Sequence, residues 1–123
     1  MASALDTSRL VAVVGSGAMG AGIAQIAAAA GHQVKLYDTR ADAADKAIAD
    51  IRKTYAKLAE KGKMSAEAAA AAGERLQSVS AIGELADAAL VVEAIVEQLD
   101  AKRKLFADLE AVVRDDCILA TNT

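Results

Sequence analysis

The stretch VAVVGSGAMGAGIAQ, residues 11–25, places four glycines within eight residues, directly after a run of β-formers. Glycine weakens a helix interior by about 1 kcal/mol relative to alanine, and alanine makes up about a quarter of this chain. Glycine at a helix start therefore needs a reason. In Gly15-x-Gly17-x-x-Gly20 the first glycine permits a tight turn out of the strand. The second removes the Cβ that would keep a ligand from the backbone, and the third lets the helix lie against the strand. Gly22 is expected to help in the same way as Gly20. The helix start then offers unpaired N–H donors and a positive dipole end, the arrangement that receives phosphates. By itself the pattern is weak, because a glycine-rich turn selected only for tight packing reads the same.

Working outward, the periodicity predicts strands over residues 10–14, 33–37, 76–80, 89–94 and 117–121. Helices are predicted over 18–30, stopped by Gly31, and over 42–61, where Ala44, Ala47, Ile48, Ile51, Tyr55 and Leu58 share one face. Gly62 breaks that helix. Ser65 caps a second, alanine-rich one whose expected terminus is Gly73. A helical turn near 84–86 and a helix over 100–113 complete the set. Strands alternating with helices imply an α/β fold of the doubly wound Rossmann type, with a parallel sheet and a two-helix insertion between strands two and three. Residues 1–123 read as one domain of that type.

The second strand supplies a test of the glycine reading. An acidic residue should close it about 20 residues after the motif, to bond the adenosine ribose hydroxyls. Asp38 stands there, ending VKLYD. A carboxylate in that place repels the 2′-phosphate of NADP and favours NAD. Arg40, two residues on, reads as surface charge.

Composition narrows the classes. A net charge of −3 argues against a nucleic-acid surface. No window approaches the ~20 apolar residues of a membrane span. The first ten residues lack the apolar core of a signal peptide, so a cytoplasmic setting is expected. The single cysteine, Cys117, excludes an internal disulfide and a cysteine zinc site, and reads as a buried strand thiol. The one histidine, His32, lies in a turn at the end of the sheet opposite the ligand crevice and is expected to be structural.

VGSGAMGAGIAQIAAAAGHQVKLYD, LVVEAIVEQLDAKRKLFADLE and the closing ILATNT strongly resemble the 3-hydroxyacyl-CoA dehydrogenases, within them the bacterial 3-hydroxybutyryl-CoA or phenylacetate-pathway branch. The resemblance covers the chain from Arg9 onward, and VVEAIVE argues against flavin as the cofactor. It implies oxidation of 3-hydroxyacyl-CoA to 3-oxoacyl-CoA, in fatty-acid β-oxidation chemistry. Its implied NAD contacts are the loop Gly15, Ser16, Gly17, Ala18, Met19 and Gly20, then Asp38, Ala94, Ile95, Glu97, Lys102 and Asn122. Glu97 would accept a ribose hydroxyl on the nicotinamide side, whereas Glu93 reads as a local hydrogen-bonding group at its strand end.

The helix over 42–61 carries Lys46, Lys53, Lys57 and Lys61 along one stripe, with Thr54 beside it. From the residues alone this is a solvated face. The resemblance implies instead that Thr54 and Lys61, with Lys102, contact the CoA moiety. It also implies a catalytic histidine and a serine beyond residue 123, and a helical domain there that completes the acyl pocket and forms a homodimer. No catalytic residue is therefore expected within this chain, which should bind cofactor without turnover. Two other readings stand beside it: the NAD(P)-binding domain of another Rossmann dehydrogenase, and a non-catalytic nucleotide-binding module.

Overall fold

The computed structural model describes residues 9–40, 42–95, 99–113 and 117–121, without the side chains of 99–102 and 121. Five parallel strands form one sheet in the order β3-β2-β1-β4-β5. They are β1 (Val11–Val14), β2 (Val34–Tyr37), β3 (Leu76–Val79), β4 (Leu90–Glu93) and β5 (Ile118–Thr121). Helices α1 (Ala18–Ala30), α2 (Ala43–Glu60), α3 (Ala66–Glu74) and α4 (Leu99–Val112) connect them, with a 3-10 turn over Ile82–Leu85. The chain runs outward from β1 to β3, then returns to the other side of β1 for β4 and β5. The strand order thus reverses between β1 and β4, and ligands of open α/β sheets bind beside such a point, outside the carboxyl ends of the strands.

All four residues of β1 are buried, because helices cover both faces of the sheet. Alternate side chains enter separate cores. Val11 and Val13 join Ala24, Ala28, Leu36, Ile48, Ile51 and Tyr55 on one face. Ala12 and Val14 join Leu85, Val91, Leu105 and Leu109 on the other. The predicted apolar face of α2 is buried through Ala44, Ala47, Ile48, Ile51 and Tyr55. Tyr55 is 1% exposed, and its hydroxyl donates to the Gln25 carbonyl of α1 at 2.5 Å. Burial pushes the phenol above its usual range, so it remains a donor.

The two-helix insertion is fastened at its base by arginines that satisfy carbonyls at element ends. Arg52 donates from Nε to the Gly73 carbonyl at 3.0 Å and from Nη2 to that of Leu76 at 3.3 Å. Arg75 donates to Ala28, in the last turn of α1, at 2.8 Å. Ser65 caps α3 as expected, accepting from the Ala68 N–H at 3.0 Å.

Three readings change. Gly73 does not end α3, which continues to Glu74 with Arg75 as its cap. Gly73 is instead the place where Arg52 crosses the helix, since an added Cβ would lie 3.2 Å from Arg52 Cγ. Gly22 does not seat α1 on the sheet, because nothing lies within 4 Å of a Cβ built there. Cys117 is half-buried and lies just before β5, at the margin of the second core.

Candidate functional site

The chain leaves β1 through Gly15, whose φ of +104° is open to glycine and strained for other residues. Its N–H donates to the Tyr37 carbonyl at 2.8 Å, continuing the ladder toward β2. A Cβ on Gly15 would stand 2.7 Å from the Ala94 carbonyl oxygen at the end of β4. Gly20 is packed still more closely: its Cβ would fall 1.7 Å from the Gly15 carbonyl oxygen. These two glycines let α1 start directly over the turn.

Gly17 differs from both. Nothing lies within 4 Å of a Cβ built on it, and Gly17, Ala18 and Met19 are all exposed. Gly17 is the N-cap of α1, and no side chain caps that helix. The first amides of α1 therefore point outward without intrahelical partners, at the positive end of a thirteen-residue helix. Open space at Gly17 beside unpaired donors is what a pyrophosphate requires.

Asp38 directly follows β2, 6% exposed at its side chain. Oδ2 accepts from the Ser16 N–H at 2.8 Å and from the Ser16 hydroxyl at 2.7 Å, tying β2 to the glycine turn. Arg40 supplies its N–H to Oδ1 at 2.9 Å, Nε to Oδ1 at 3.1 Å and Nη2 to Oδ2 at 3.0 Å. Arg40 is thus not mere surface charge; it grips both oxygens of Asp38. Burial alone would raise this carboxyl, but the hydrogen bonds from Arg40 and Ser16 overcome burial and hold it well below the usual carboxylate range.

A cavity of about 310 Å³ joins Gly15, Ser16, Gly17, Asp38 and Arg40 to Ala94 and Ile95. The end of β4 is shaped by Glu93, fully buried, whose Oε2 accepts from the Ile95 N–H at 2.7 Å. That is the local role expected for it. A larger groove of about 690 Å³ lies between α2 and α3, walled mostly by alanines around Arg52 and away from the glycine turn. It is the smaller cavity that brings the glycine turn, Asp38 and the end of β4 together.

Thr54 lines a third cavity, about 350 Å³, with Ser16, Gly17, Gly22, Gln25 and Asp50, so α2 brings it to the flank of the glycine turn. Its hydroxyl bonds the Asp50 carbonyl one turn back at 3.1 Å. Lys61 caps the far end of α2, seven residues or ~10 Å along the axis. Lys46, Lys53, Lys57 and Lys61 are exposed, and among the described residues none of them pairs with a carboxylate. Lys102 belongs to α4, but its side chain, like Glu97 and Asn122, lies outside the described residues. His32 is 9% exposed, in the turn before β2, with Nδ1 3.0 Å from the Arg9 carbonyl oxygen. It is remote from the crevice. Among the described residues no cluster suits a metal ion, and no helix is long and apolar enough to cross a membrane.

The grip of Arg40 on Asp38 is the feature that sequence reasoning missed. Its only trace was the i, i+2 spacing of opposite charges at a strand end.

With this geometry in place, comparison with known proteins is specific. The family described as "3-hydroxyacyl-CoA dehydrogenase, NAD binding domain" matches residues 10–123. The 3-hydroxyadipyl-CoA dehydrogenase of Escherichia coli K12 is 47% identical over 113 residues, 92% of this chain and 24% of that protein. The 3-hydroxybutyryl-CoA dehydrogenase of Clostridioides difficile is 39% identical over 92% of this chain and 40% of its own length. The crystal structure of 3-hydroxybutyryl-CoA dehydrogenase from E. coli K12 superposes with a TM-score of 0.92 at 45% identity, covering 97% of this chain and 25% of that one. The chain therefore spans between a quarter and two fifths of these relatives. A central parallel sheet, a bare helix start above a glycine turn and an acid closing the second strand agree with that match: the chain belongs to the 3-hydroxyacyl-CoA dehydrogenase family, as its NAD-binding domain.

Proposed function

We propose that this domain serves an enzyme oxidising 3-hydroxyacyl-CoA to 3-oxoacyl-CoA, and that its crevice at the β1–β4 switch point holds NAD. NAD supplies the hydride acceptor. The glycine turn, Gly15, Ser16, Gly17, Ala18, Met19 and Gly20, receives the pyrophosphate, with the unpartnered amides at the start of α1 as its donors, and Asp38 takes the adenosine ribose. The backbone at Ala94 and Ile95 borders the dinucleotide; Glu97, Lys102 and Asn122 serve its nicotinamide half. Thr54 and Lys61, with Lys102, meet the CoA. An ammonium stripe suits its phosphates as point charges rather than as a geometric lock.

The base that removes the hydroxyl proton, and the domain that closes the acyl pocket and forms a homodimer, belong in this reading to sequence beyond residue 123. The setting is cytoplasmic β-oxidation. One observation carries the proposal: the uncapped start of α1 and the carboxylate of Asp38 share one cavity with the end of β4. The test is a fluorescence titration of this chain with NADH and with NADPH. Saturable NADH binding with much weaker NADPH binding is expected. No NADH binding at millimolar concentration, or equal affinity for both, refutes the assignment of the crevice.

A further inference from the structure

The carboxylate that closes β2 has no acceptor position left. Five donors reach it: the amide and hydroxyl of Ser16 and the amide, Nε and Nη2 of Arg40. An ionised carboxylate offers about four lone-pair sites. A vicinal diol arriving at Asp38 cannot simply add; it must exchange with something. The Ser16 and Arg40 amides belong to the glycine turn and to the turn after β2, so releasing them means moving backbone, and the Ser16 hydroxyl, which can rotate away, frees a single acceptor position where a diol needs two. Nε and Nη2 belong to one side chain that is 69% exposed. They are the donors most cheaply released. They also match what would replace them, since a guanidinium fork and a vicinal diol both present two donors side by side.

We propose that Arg40 competes with the cofactor for its own crevice: its guanidinium holds the ribose seat on Asp38, and NAD enters by exchanging its adenosine diol for Nε and Nη2. This rests on Asp38 being the ribose carboxylate. The neighbouring cavity decides what the exchange favours. Beyond the Asp38–Arg40 pair lies a space of about 490 Å³ bordered by Asp42, Asp45, Ser78, Ser80 and Glu84. Asp45 accepts from the Ser78 hydroxyl, and Glu84 accepts from the amides of Ser80 and Ala81 at 2.9 and 3.0 Å. A guanidinium turned to that side meets three further carboxylates and is attracted. A 2′-phosphate directed there meets the same three and is repelled. Arg40 therefore yields to a diol without becoming a phosphate clamp, although an arginine two residues after the acid would otherwise recruit NADP.

Arg40→Met keeps the length of the stem and removes both donors. In titrations of this chain, the NADH Kd should fall roughly three- to fivefold in Arg40→Met, the scale of one partly exposed ion pair. NADPH should remain the weaker ligand in both proteins. In the wild-type chain, the Arg40 Nε–H resonance of a ¹⁵N-labelled sample should shift as NADH saturates. Unchanged or weaker NADH binding by an Arg40→Met chain with a wild-type far-UV circular dichroism spectrum overturns the exchange. So does an Nε–H signal that NADH leaves unmoved, a readout independent of how the variant folds. Should the wild-type chain itself fail to bind NADH, the ribose assignment of Asp38 falls and the exchange falls with it. Wild-type binding without the Arg40→Met gain removes the exchange alone.

Discussion

Gly17 and Gly20 lie three residues apart in one motif, yet alanine should damage the protein through different routes at the two positions. At Gly20 the new Cβ would lie 1.7 Å from the Gly15 carbonyl oxygen and 2.8 Å from its carbon. Close C–H···O contacts settle near 3.3 Å, so α1 would have to retreat by about 1.5 Å from a turn that is itself held between β2 and β4. Inserting a methylene into a packed core costs about 1–3 kcal/mol when side chains can adjust. Here the obstacle is backbone, and a loss of at least about 3 kcal/mol is expected, a large part of the ~5–15 kcal/mol that stabilises a typical domain. At Gly17 the Cβ meets nothing within 4 Å and φ is −68°, which alanine adopts freely. The cost there is that of replacing an N-cap glycine, below about 1 kcal/mol. The methyl would instead stand where the pyrophosphate approaches, lowering NADH affinity at least about tenfold. Urea unfolding followed by circular dichroism measures the first quantity, and NADH fluorescence titration the second. A Gly20→Ala chain as stable as wild type refutes the packing argument. A Gly17→Ala chain that loses stability while retaining NADH affinity refutes the division of roles.

Removing the Tyr55 hydroxyl in Tyr55→Phe leaves the Gln25 carbonyl without that donor, and a loss of about 1 kcal/mol in urea unfolding is expected with NADH affinity unchanged. Asp38 should contribute stability with a definite pH sign. Its folded pKa is depressed, so the contribution is complete above the ordinary carboxyl value of 3.8 and disappears as pH falls below it toward the folded value. The urea midpoint of wild type relative to Asp38→Asn should accordingly hold steady from about pH 8 to 5 and shrink below about pH 4; a difference that grows on acidification contradicts it. In the full-length enzyme, Lys61→Glu should raise the KM for acyl-CoA several-fold and leave that for NAD nearly unchanged, as steady-state kinetics would show. Equal effects on both would count against the lysine stripe as the CoA contact.

The legible parts of this molecule were those written locally. Strands buried on both faces appear as unbroken apolar runs, the face of α2 follows its helical period, and Ser65 announces its helix start. Asp38 was found because a strand end and a spacing define it. What escaped depends on neighbours distant in sequence or on turn geometry. Gly73 looks like a terminator until Arg52, 21 residues earlier, is seen to cross it. Gly22 resembles Gly20 in sequence, but only Gly20 faces the Gly15 carbonyl. Arg40 could be read as solvated because it lies past the end of β2, in a turn where neither a helical nor a strand period says which side chains meet. Asp42, the N-cap of α2 at a φ of +61°, likewise gave no warning of its left-handed backbone.

The sequence of β1 has one more consequence. Val11-Ala12-Val13-Val14 is apolar at every position, because both of its faces are covered. In a strand with one wet face, a slip of one residue would expose apolar groups and bury polar ones; here a slip would cost little in hydrophobicity. Something else must index the strand against its neighbours. Gly15 provides that index: only it accepts the left-handed backbone, its amide meets the Tyr37 carbonyl, and the Ala94 amide meets the carbonyl of Val14 just before it. A shift of one residue would place Val14 or Ser16 in a conformation that strains both. The glycine turn is therefore also a stop that sets how far β1 slides, and some changes there should yield mispaired chains instead of correctly folded ones that merely bind poorly.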